Sequence, residues 1–137
     1  MEQHSMAVEV RPPDQRDEWQ TSWYRERLAE RKILEVAVVV VVGGAAFLAV
    51  PCGGGRRGGY VCADDTDVVW RLRDVLDRID GFPDVRVRWS TEPDVCHAVV
   101  WGDPSPGFAD DRRRGRFYGY SDEAIAAFVQ ETAARER

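Results

Sequence analysis

Hydrophobic and polar positions follow three different patterns along this chain, and each predicts a different element. From Val68 the apolar residues Val68, Val69, Leu72, Val75, Leu76 and Ile79 recur at helical spacing. Asp64, Asp65, Thr66 and Asp67 precede them and supply caps and negative charge for a helix N-terminus. The pairs Asp67–Arg71 and Asp74–Arg78 place an acid four residues before a base, worth about 0.2–0.5 kcal/mol each on a helix surface. Gly81 ends this helix and Pro83 prevents its return. The second pattern has period two. Asp84–Ser90 reads DVRVRWS, a half-buried strand, and Val95–Trp101 reads VCHAVVW, a second one. The short link between them predicts an antiparallel hairpin.

The third pattern has no period. Val36–Val50 reads VAVVVVVGGAAFLAV, without a charge, and valine fills six of the seven positions from Val36 to Val42. Branching at Cβ favours strands. Gly43-Gly44 supplies a turn, so two buried strands in a tight hairpin are expected, with cover on both faces of the valine strand. The run falls short of the roughly 20 apolar residues of a membrane-spanning helix, and no membrane segment is expected.

Elsewhere the patterns are weaker. Residues 1–16 contain Pro12-Pro13 and read as a flexible tail ahead of a single domain at 17–137. Asp17–Leu34 reads as a helix with an irregular stripe of Trp19, Trp23, Leu28 and Ile33. Residues 102–116 read as loop. Phe117, Tyr118 and Tyr120 are too apolar to stay exposed together, so some of them should pack on the domain. Ser121 caps a last helix with Ile125, Phe128 and Val129 on its buried side. The expected class is α+β: a small antiparallel or mixed sheet of about four to five strands, packed with two to three helices.

Composition narrows the chemistry. The chain has 137 residues, 44% hydrophobic and 31% charged, with a net charge of −5. A polyanion partner would therefore need a local basic patch. The three cysteines, Cys52, Cys62 and Cys96, lack the paired spacing of a zinc site, and His4 falls in the expected tail, so no metal is expected. An odd cysteine count and an N-terminus without the pattern of an export signal point to a reducing, cytoplasmic compartment.

Two segments offer candidate sites. Gly53-Gly54-Gly55-Arg56-Arg57-Gly58 matches the spacing of a dinucleotide-binding loop. That chemistry needs a helix to follow, and GYVCADD reads as a strand, so no cofactor is expected. A glycine-rich turn that offers Arg56 or Arg57 to an anion remains, beside a plain solvated turn. In the hairpin, pairing Ser90 with Val95 places Trp89, Val87 and Val85 opposite Cys96, Ala98 and Val100. The other face then carries Arg86, Arg88 and His97, with Trp101 nearby, as a candidate anion-binding face beside a plain salt-bridged one. A slip of one residue would move His97 to the face of Trp89. Cys96 and His97 are adjacent on a strand, point to opposite faces and form no nucleophile–base pair.

The strings RRGGY (56–60), GFPDVRVRWS (81–90), VCHAVVWGD (95–103) and RGRFYGYSDEAIAAFV (114–129) resemble a family of small uncharacterised actinobacterial proteins, a domain of unknown function. The resemblance implies a cytoplasmic bacterial protein and carries no activity. Abundant Trp, Tyr and Arg without a coherent catalytic set favour a non-enzymatic interaction or regulatory module with a protein partner. The first alternative is a nucleic-acid, nucleotide or anion binder using the arginine-rich loop and sheet face. The second is a small enzyme with a pocket of His97, Trp101 and Asp103.

Overall fold

The computed structural model describes residues 6–107 and 109–136. His4 and the first residues of the expected tail lie outside that range. The chain runs β1 (Val8–Arg11), α1 (Glu18–Arg27), β2 (Val38–Val42), β3 (Ala45–Ala49), β4 (Gly58–Ala63), α2 (Thr66–Leu76), β5 (Arg86–Arg88), β6 (His97–Gly102), α3 (Asp111–Phe117) and α4 (Asp122–Arg135). The strands form two antiparallel three-stranded sheets, ordered β1-β2-β3 and β4-β6-β5. The class is α+β, with the strands divided between two sheets.

The valine run behaves as its composition requires. β2 pairs with β3 from Val38↔Ala49 to Val42↔Ala45. Gly43 and Gly44 turn the chain at φ +57° and +88°, the left-handed geometry that a two-residue hairpin of matching twist demands. Both faces of β2 are covered. Val40 and Val42 join Leu72, Leu76, Val99 and Trp101 in a core shared by both sheets. Val39 joins Leu28, Leu48 and Val50 in a second cluster on the opposite face. α2 also matches expectation: the Asp65 carboxylate caps the Asp67 and Val68 amides at 2.8 and 3.3 Å, and Val69, Leu72 and Leu76 are fully buried.

Four expectations are corrected. The tail is ordered from Val8, where β1 pairs with β2 as Val8↔Val42 through Arg11↔Val39. The prolines end this strand, and an ion pair ties it down: Arg11 reaches the buried Asp17 carboxylate at 2.7 and 3.2 Å. The first helix stops at Arg27. Leu28 turns extended, bridges Tyr120, and a 3-10 turn follows at Arg31–Val36. The loop at 102–116 contains α3, capped by Asp110 on the Arg113 amide at 3.0 Å. On α4 Ile125 is buried, yet Phe128 is 47% exposed.

The hairpin register also differs by one residue. Arg86 pairs with Val100, Val87 with Val99 and Arg88 with Ala98. This register turns Val87, Val99 and Trp101 toward the core, more apolar volume than Cys96, Ala98 and Val100 would bring. It also gives the Ser90 amide an acceptor, His97 Nδ1 at 3.0 Å.

Candidate functional site

Alternation along β4 sends Val61 into the core and leaves Tyr60 and Cys62 outward. α1 presents Trp19, Trp23 and Tyr24 beside them, and the link between α3 and α4 brings Tyr118 and Tyr120. Together these side chains and Phe47 of β3 enclose a cleft of about 320 Å³. Its aromatic wall is continuous. Ring centroids lie 5.1 Å apart for Tyr24–Trp23, 5.9 Å for Trp23–Tyr120, 6.0 Å for Tyr120–Tyr118 and 5.9 Å for Tyr118–Tyr60. Two backbone ties set this arrangement. Leu28 bridges Tyr120, and Ser121 N–H donates to Arg27 C=O at 2.7 Å. Gly119, at φ +81°, lets the Tyr118–Tyr120 turn lie directly on Arg56, where a side chain would meet the Arg56 Cβ at 2.8 Å.

Arg56 forms the floor. It is 4% exposed. Its Nε donates to Val50 C=O at 3.3 Å and its Nη1 to Tyr118 C=O at 3.0 Å. Its guanidinium carbon lies 5.6 Å from the Tyr24 ring centroid and 5.8 Å from that of Tyr118. Of the described residues lining the cleft, Arg56 alone is charged. The carbonyls and ring faces stabilise the cation, and no carboxylate neutralises it there. Burial pushes the Tyr24 and Tyr120 phenols above their ordinary range more strongly than Arg56 draws them down. Both hydroxyls therefore stay protonated and can donate hydrogen bonds. Arg27 stacks on Trp23 at 4.3 Å from outside.

Cys62 lies at the side of this cleft, with the Cys96 thiol as its neighbour. Burial first, then that neighbour, pushes the Cys62 thiol up to about 11, so it is a neutral thiol and a weak nucleophile at neutral pH.

The residues expected to form an anion site separate in the structure. Arg56 is the cleft floor, while Arg57 points outward to Asp103 Oδ2 at 2.8 and 3.0 Å. Arg86 donates to the Gly102 and Asp84 carbonyls at 2.9 and 2.8 Å, and Arg88 is exposed on the same face of β5. The register turns His97 to the opposite face, against Trp89 at 4.9 Å, and Trp89 packs on Trp70 at 5.4 Å. Trp101 is sealed in the core with its Nε1 donating to Val50 C=O at 3.2 Å. Asp103 is exposed and engaged by Arg57, so His97, Trp101 and Asp103 line no common pocket.

Sequence reasoning missed Trp19, Trp23, Tyr24, Tyr60 and the role of Tyr118. One signal was available: the two tryptophans four apart in α1 sit on a stripe too irregular to be a core face.

Among the described residues no helix is long and apolar enough to cross a membrane. The model of one protein family, described as a family of unknown function (DUF6302), matches residues 12–137. No curated protein and no solved structure matches the chain.

Proposed function

The chain belongs to DUF6302, a family of unknown function, and we propose that its work is binding rather than catalysis. The aromatic cleft takes a planar, negatively charged small molecule: a ring system bearing a carboxylate or phosphate. One observation carries this reading. The cleft holds a buried arginine and no acid, in a chain with 24 acidic and 19 basic residues. A desolvated cation projects a field that solvent screens poorly, so an anion is the favoured occupant. The ring faces of Trp23, Tyr60 and Tyr118 add stacking surface for a flat ligand, worth about 1–3 kcal/mol per stacked base where aromatic platforms bind nucleic acids. The volume suits one ring system rather than an extended ligand.

Trp19 is 81% exposed at the rim and Trp23 lines the wall, so ligand entry should change tryptophan fluorescence. The test titrates the protein with aromatic carboxylates and nucleoside monophosphates, beside their uncharged analogues. The expected result is saturable quenching by the charged ring compounds, weakened about tenfold by Tyr118→Ala. Equal response to charged and uncharged analogues, or none to either, would reject the reading.

A further inference from the structure

A second basic site lies outside the cleft. Arg57, from the loop before β4, and Arg113 and Arg116, from α3, line an open pocket of about 470 Å³ with Ser105, Pro104 and Pro106. Two parts of the chain distant in sequence, the loop at Arg57 and residues 104–117, meet there, and their backbones are tied together. Arg57 N–H donates to Phe117 C=O at 2.8 Å, and Asp103 N–H donates to Arg57 C=O at 3.0 Å. The arginine positions are therefore fixed relative to one another up to the side chains.

The charge is unbalanced. Asp103 spends one oxygen, Oδ2, on both Arg57 bonds. Asp110, three residues before Arg113, has its Oδ1 on the Arg113 backbone amide. Arg113 and Arg116 form no ion pair among the described residues, while Arg114 pairs with Asp111 at 3.5 Å. Arg113 and Arg116, like charges without an ion pair, destabilise one another, and a multivalent anion relieves that repulsion. Guanidinium forks match the oxygens of a tetrahedral anion, and the Ser105 hydroxyl supplies a neutral donor on the facing wall.

We propose that this pocket binds a tetrahedral oxyanion, as free phosphate or as a phosphomonoester, between Arg113, Arg116 and Arg57. The site shares no lining residue with the aromatic cleft. Arginine side-chain NMR signals are followed while inorganic phosphate, and separately glycerol phosphate, is added at constant ionic strength, with chloride as the reference anion. Saturable shifts at Arg113 and Arg116 are expected, and the tighter of the two phosphates identifies whether the ester or the free ion is the occupant. The double variant Arg113→Ala/Arg116→Ala removes two exposed side chains, so folding should be retained. It should weaken phosphate binding by about tenfold or more. Tryptophan fluorescence should stay unchanged on phosphate addition, which keeps this test separate from that of the cleft. Shifts no larger than those of chloride, or undiminished binding by the double variant, would overturn the proposal.

Discussion

The two sheets use opposite strategies for their central strands. β2 is apolar on both faces and is covered on both, so every valine in it serves packing. β6 turns only one face to the hydrophobic core. There Val99 and Trp101 meet Val40, Leu72 and Phe82, while the outer face of the same sheet leaves Tyr60, Cys62 and Arg88 accessible. The contrast separates scaffold from site. A strand buried twice specifies its neighbours and leaves no surface to recognise anything. A sheet buried once holds its open side chains rigidly and still presents them to solvent, and its edge against α1 makes the aromatic cleft.

The largest way to break the comparison is Trp101→Ala. It empties a fully buried site at the joint between the sheets and should cost about 3–5 kcal/mol in denaturant unfolding. Next is Asp17→Asn, which leaves the nearly buried Arg11 with only its longer contact to Asp14, at 3.4 Å. A loss of stability smaller than that of Trp101→Ala is expected, with early hydrogen exchange at Val8–Arg11 as β1 comes away. Acid tests the same tie. Arg11 holds the Asp17 carboxyl below the usual range, and Arg16 holds Asp14 down to about 2. Because the folded values are depressed, these groups contribute stability above the unfolded value near pH 4. That contribution is lost as pH falls from about 4 toward 2. Exchange at β1 should therefore accelerate in acid before exchange at β2 does. The smallest effect is Trp19→Ala, which should change stability by less than about 0.5 kcal/mol, because that ring stands in solvent.

Legibility in the sequence followed the same division. The valine hairpin, α2 and the capped start of α4 were readable because one local pattern determines each. The register at β5 and β6 was not, since both registers bury an apolar set. The choice depends on the volume of Trp101 and on His97 Nδ1 accepting the Ser90 amide, a contact across seven residues. The cleft was the least visible part. Trp23, Tyr60 and Tyr118 come from three elements with no shared motif, and only tertiary packing assembles them. Arg56 and Arg57 are neighbours in an unremarkable RR pair, yet one is buried beneath Tyr118 and the other is held in solvent by Asp103.

The most direct test reads the five tryptophan indole N–H signals during titration with an aromatic carboxylate. Trp19 and Trp23 line the cleft, Trp101 lies in the core, and Trp70 and Trp89 form a separate surface pair. The account predicts saturable shifts at Trp19 and Trp23 with Trp70 and Trp89 unmoved. Shifts confined to Trp70 and Trp89, or no shift at any of the five, would contradict it.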